Sequence, residues 1–196
     1  VITGFGRLGT WTGAEYFGVS PDILNFAKQV TNGAIPLGGV VASREIYQTF
    51  MQQDLPEHMV EFGHGYTYSA HPVACAAGLA TIQASEEQQA IESAAELAPE
   101  FERLLHSLKG TPHVIDIRNC GLIGTVQLAP RHGDAAIRPF EAGLKLWQAG
   151  FYVRFGADTL QFGPMFNAKA QDLQRLVNAV GDTLYQLETT KTACSA

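Results

Sequence analysis

Three side chains stand where they could act on a carbonyl and its carboxylate. They are Lys28 after "DILNFA", Thr67 within "HGYTYSAHP" and Arg154 within "YVRF". A lysine that directly follows an apolar strand run lies at the carboxyl edge of an α/β sheet, where open sheets of this kind hold their ligands. Partial desolvation there lowers the amine's pKa and makes it a nucleophile toward a carbonyl. A surface lysine laying its stem along a strand end is the blander alternative. Thr67 sits among small residues whose free backbone N–H groups could cradle a phosphate, with a helix opening at Pro72; a turn-capping threonine is the alternative. Arg154, held on a short strand with Tyr152, suits bidentate recognition of a carboxylate, although arginines on edge strands are common. Amine, phosphate cradle and carboxylate clamp form a more specific set than any one member. They suggest an enzyme using a phosphorylated aldehyde cofactor on carboxylate substrates.

Other chemistries find less support. Residues 4–9, "GFGRLG", spell a dinucleotide fingerprint. That pattern needs a strand running in, a helix starting within it and an acid ending the next strand. Only Val1, Ile2 and Thr3 precede the glycines, and Gly13, Gly18 and Pro21 interrupt the stretch on their carboxyl side. The segment reads as a loop. The histidines at 58, 64, 71, 106, 113 and 132 show no H-x-x-x-H or H-E-x-x-H pairing, so no metal site is expected. No G-x-S-x-G elbow is present, and Cys75 beside two alanines reads as close helix packing.

Periodicity predicts the elements that must position the three residues. Asp22 to Ala27 and Val40 to Ala42 are short continuous apolar runs bounded by Gly and Pro, which predict buried strands of an α/β sheet. Ser43 is a predicted N-cap for a helix over 44–51. "EFGHGYTYSAHP" is too rich in breakers to be regular. After Pro72 the chain turns rich in Ala, Glu, Gln and Leu, predicting two helices, or one with a bend near Ser85 or Pro99, ended at Lys109-Gly110. "HVIDIRN" and "GLIGTVQLA" predict strands joined through Gly121. Phe140 to Gln148 predicts a helix stopped by Gly150, and "YVRFGADTLQFGP" two strands turning at 156–158. A last helix over about 170–187 sets Leu173, Leu176, Val177, Val180, Leu184 and Leu187 on one face, and the tail "TTKTACSA" is expected to fray.

Composition bounds the partners. With 19 acidic against 13 basic side chains the net charge is -6, and no Lys/Arg run offers a surface to nucleic acid. No segment has the apolar length needed to cross a bilayer. Cys75, Cys120 and Cys194 are odd in number and far apart, which favours a reducing, cytoplasmic setting over a disulfide framework. The chain opens on Val1, within an expected strand, and reads as a fragment, part of whose site is expected upstream.

The order "VITGFGRLG", "PDILNFAKQVTNGAIPLGGVVAS", "HGYTYSAHPVACAAGLATI" resembles the class III pyridoxal-phosphate aminotransferases. "YVRFGADTLQFGPMFNA" is similar to their omega-amino acid:pyruvate (β-alanine:pyruvate) branch. The resemblance implies a fold-type I α/β transferase. Residues 1–85 would be the carboxyl-terminal part of the large, mostly parallel-sheet PLP-binding domain, and 86–196 a linking helix and the small α/β domain. It also implies pyridoxal 5′-phosphate held by Lys28 through a Schiff base, with the freed amine moving the proton between substrate and cofactor. Thr67 would reach the phosphate of a neighbouring subunit's cofactor in a homodimer or homotetramer. Arg154 would grip the carboxylate of pyruvate, alanine or β-alanine, and Val1 would pack on the pyridine ring. The aspartate that pairs with the pyridinium nitrogen would lie two residues before Val1, so the chain alone is expected to be inactive. Ile2 stands where many members carry a glutamine. Other class III substrates (γ-aminobutyrate, ornithine, a biotin precursor), an aminomutase, a nucleotide-binding oxidoreductase and a non-catalytic module are the competing readings.

Overall fold

The structure, a computed structural model, describes residues 1–131 and 134–189. His132, Cys194 and the expectation of a frayed tail from 190 onward lie outside the described residues. The chain divides into two compact units: residues 1–6 with 10–91, and residues 7–9 with 92 onward.

The first unit opens on the irregular loop 1–12 and a single helical turn, α1 (Gly13–Tyr16), capped by the Thr12 hydroxyl, which accepts from Glu15 N. The strand expected at Val1 is absent; the first strand is β1 (Ile23–Ala27), paired antiparallel with β2 (Gly38–Ala42). The pair sets Phe26 opposite Gly39. A Cβ at Gly39 would lie 2.3 Å from the Phe26 ring, so the glycine is what lets the aromatic side chain lie across the ribbon. These strands were expected to be buried. Within this chain Ile23, Val40 and Val41 are 53%, 66% and 56% exposed, since none of the described residues forms a layer over the outer faces of the pair.

Ser43 caps α2 (Arg44–Met51), its hydroxyl accepting from Ile46 N. The stretch 52–71 is irregular, as its breakers dictate. α3 (Pro72–Glu87) starts with proline at its first turn and His71 as N-cap. It buries Ala74 and Gly78, small residues one turn apart, and a Cβ at Gly78 would come within 3.2 Å of Leu37.

The helix break falls at Gln88-Gln89, where Gln89 has φ of 50°. It lies three residues beyond Ser85, and α4 (Ala90–His106) runs on through Pro99. From Glu92 on α4 belongs to the second unit, and it is followed by the antiparallel strands β3 (Val114–Cys120) and β4 (Ile123–Leu128). After α5 (Ile137–Gln148) come β5 (Arg154–Gly156) and β6 (Thr159–Phe162), then α6 (Ala170–Thr189). The sheet order is β3-β4-β6-β5, antiparallel throughout. Tyr152 lies two residues before β5, outside the strand on which the sequence set it.

β4 alternates inward Gly124, Val126 and Leu128 with outward neighbours, which is the period of a half-covered strand. Its inner face meets Phe101, Leu104 and Leu105 of α4, Leu146 of α5, and Leu173, Val177, Val180, Leu184 and Leu187 of α6 in one buried cluster. Leu176, expected on the same face of α6, is partly buried. Among the described residues no helix is long and apolar enough to cross a membrane, and no group of His, Cys, Asp and Glu could hold a metal ion.

Candidate active site

Lys28 is the residue at which β1 ends and a 3-10 turn, Lys28–Thr31, begins. Its φ is 57°, a left-handed conformation that a side chain with a Cβ adopts at a cost of about 1–3 kcal/mol. Neighbouring structure over-determines that conformation. Val30 and Thr31 are buried, the Thr31 hydroxyl donates to Ile35 O at 2.7 Å, and Val30 lies beside Gly78 of α3. The backbone is thus pinned while the side chain is exposed, and among the described residues its amine has no hydrogen-bond or ion-pair partner.

The loop "GFGRLG" narrows to a neck in which Phe5 N donates to Trp11 O at 2.7 Å and Gly6 N to Thr10 O at 3.0 Å. Phe5 stands edge-on to Trp11 and to Phe26 of β1, with ring centroids 6.4 and 6.0 Å apart. These rings, with Val1, Gly4, Asn25 and Val41, line a recess of about 800 Å³. Its walls are mainly apolar and carry no acidic or basic side chain. Lys28 does not line it, although Phe26, two residues earlier on the same strand, does. The sequence reading missed Phe5, Trp11, Asn25 and Phe26 as lining. The available signal was the density of aromatic residues around a glycine loop.

Thr67 is exposed in the turn 67–70, which is closed by Ser69 N donating to Tyr66 O and by the Ser69 hydroxyl accepting from Tyr66 N. Its own hydroxyl has no partner among the described residues. Arg154 begins β5 in the second unit, exposed, opposite Gln161 of β6, and it too has no partner among the described residues. The structure therefore groups Val1 with the aromatic recess in the first unit and sets Lys28 just past its lining, while Thr67 and Arg154 stand on separate exposed segments.

One residue beyond the sequence candidates stands out. Arg7 donates to Pro164 O and, at 3.4 Å, to Leu122 O, and its guanidinium lies 4.7 Å from the centre of the Phe166 ring. Burial pushes its pKa below the ordinary arginine value, without discharging a guanidinium near neutral pH.

Residues 1–184 match the family described as Aminotransferase class-III. The chain belongs to the class-III aminotransferases. It is 67% identical over 184 residues to the beta-alanine–pyruvate aminotransferase of Pseudomonas aeruginosa, covering 94% of this chain and 41% of that protein. It is 65% identical to the omega-amino acid–pyruvate aminotransferase of Pseudomonas putida, covering 95% of this chain and 42% of the relative. Among solved structures, a transaminase with L-alanine superposes with a TM-score of 0.90 at 28% identity, over 97% of this chain and 46% of that one. A PLP-bound amine transaminase from an uncultivated Pseudomonas species gives 0.87 at 31% identity, over 95% and 43%. The chain thus has the α/β fold of class-III transaminases and spans about two fifths of the length of the curated relatives it matches. The class-III loop at Gly4–Gly9 is, as its interrupted context predicts, a loop: no helix starts until Gly13.

Proposed function

We propose that the polypeptide carrying this chain transfers an amino group from an omega-amino acid such as beta-alanine, or from an amine, to pyruvate, giving alanine and a semialdehyde or ketone. The observation that carries the reading is Lys28: an unpartnered amine on a strained backbone at a strand end, in a chain of the class-III family.

Pyridoxal 5′-phosphate fits the residues present in three respects. Its aldehyde needs a free amine, its ring an apolar wall and its phosphate a hydroxyl donor; Lys28, the recess lined by Val1 and Phe26, and Thr67 offer one of each. When bound, the cofactor supplies an electron sink for the substrate carbon that loses its proton. Lys28 would hold the cofactor through its amine, and its Nζ, when free, would take up the proton that the amino-bearing carbon loses and give it back to complete the amino transfer. Val1 would close one face of the ring against water. Arg154 orients the substrate by a two-point grip on its carboxylate. Thr67 would donate to the phosphate of a neighbouring subunit's cofactor, which would make self-association as a homodimer or homotetramer part of the site.

Residues 1–85 then complete the cofactor domain and 86–196 supply the linking helix and small domain. The protein works in the cytoplasm on small amino donors and keto acids. No carboxylate lines the recess to hold a pyridinium nitrogen protonated, so the 196-residue chain by itself is inactive. The test is borohydride reduction of the protein from its natural source, followed by peptide mapping. A pyridoxyl-phosphate adduct on Lys28, with amino transfer abolished in Lys28→Ala, is expected. An unmodified Lys28 in cofactor-replete protein sinks the reading.

A further inference from the structure

The arginine inside "GFGRLG" takes no part in the function above, yet the second unit includes it together with Leu8 and Gly9. Leu8 is buried, Leu122 N donates to Arg7 O at 3.0 Å, and a Cβ at Gly9 would lie 2.7 Å from Ala95 Cβ. The tip of the loop is thus fixed on both sides, and Arg7 reaches from it to two places. Leu122 lies just before β4, and Pro164 just after β6. These are the ends of neighbouring strands at the same edge of the sheet, since Gly124 pairs with Phe162 and Thr125 with Gln161. Gln161 pairs in turn with Arg154. Leu122 is three residues from Thr125 and Pro164 three from Gln161, so the guanidinium binds both strands about 10 Å from the row that carries Arg154.

β5 is an edge strand of three residues, paired on one side only, so Arg154 can be no better placed than β6. Phe166, beneath the Arg7 guanidinium, fixes the segment leaving β6 from a second direction. A half-buried guanidinium still costs desolvation, and an apolar side chain could fill the space; what it adds is direction, with donors set in a plane at fixed angles.

We propose that Arg7 is a positioning residue for carboxylate recognition, holding the ends of β4 and β6 at the spacing that presents Arg154 to the substrate. This rests on the reading of Arg154 as the carboxylate grip. The experiment uses the full natural polypeptide loaded with its cofactor, a carboxylate-free amine as donor, and two acceptors: pyruvate and a simple aldehyde without a carboxylate. Arg7→Met is expected to raise the KM for pyruvate on the order of tenfold, the worth of one charge-assisted hydrogen bond. The kcat and the parameters for the aldehyde should stay near those of the parent. Arg7→Lys, which keeps the charge, recovers part of the loss, and Phe166→Leu moves KM in the same direction by less. In an Arg154→Ala background, Arg7→Met adds nothing further.

Equal losses with both acceptors, or effects that multiply in the double variant, overturn the proposal. Should Arg7→Met fail to fold, the Arg7→Lys and Phe166→Leu pair decides by the same split. If Arg154→Ala raises the pyruvate KM and the Arg7 and Phe166 variants do not, Arg7 alone loses its role. If Arg154→Ala leaves that KM unchanged, the carboxylate grip itself falls and takes the proposal with it.

Discussion

Gly121 and Gly110 make a matched pair for testing whether the loop tip is seated as described. Both have left-handed backbones, with φ of 53° and 86°. An alanine at either pays a backbone cost of about 1–2 kcal/mol, and no less at Gly110, whose φ lies farther from the left-handed minimum. Their surroundings differ. A Cβ at Gly110 meets nothing within 4 Å, whereas one at Gly121 would lie 2.6 Å from Leu8 Cα and 3.0 Å from Arg7 O. Those are backbone atoms, which cannot swing aside as a side-chain end would, so overpacking adds about 1–3 kcal/mol. Gly121→Ala is therefore expected to lose about 2–5 kcal/mol and Gly110→Ala about 1–2. Urea unfolding of the natural polypeptide and both variants, compared at unchanged slope, measures the difference. Equal losses, or a larger loss at Gly110, would refute the close approach of Leu8 to the turn between β3 and β4.

Burial and charge give two further outcomes. Leu146 is fully buried on α5 and Leu144, two residues earlier, is 47% exposed; Leu146→Ala should cost about 2–5 kcal/mol and Leu144→Ala far less, a contrast that unfolding midpoints will read. The Arg103 side chain, hydrogen-bonded to Glu100, holds the Glu100 carboxyl below the ordinary range. A depressed carboxyl pKa gives stability present above the unfolded value and lost as pH falls through the folded one. Both groups are on the surface, where such pairs contribute little. Arg103→Gln is thus expected to move the Glu100 titration midpoint upward by NMR while leaving the unfolding midpoint at neutral pH unchanged; an unmoved Glu100 would refute the pairing.

Local chemistry in the sequence determined most of the elements. Ser43 capping α2, Pro72 opening α3, the inward Leu and Val spacing of α6 and the turn at 156–158 each depend on residues within one or two turns of one another, so a single strand of text carries them. The order of lysine, threonine and arginine segments was enough to point to the family. Three features could not be read this way. The exposure of β1 and β2 within this chain depends on which elements are present to cover them, and an apolar run looks alike with or without them. The two helices expected after Pro72 are both present, but the point at which they part, Gln88-Gln89, is a backbone choice that no residue type announces. The work of "GFGRLG" was hidden because its partners, Leu122, Pro164 and Phe166, lie more than a hundred residues away. Spacing names a loop; only packing decides what the loop holds, because a half-buried guanidinium takes its meaning from the carbonyls that the fold brings to it.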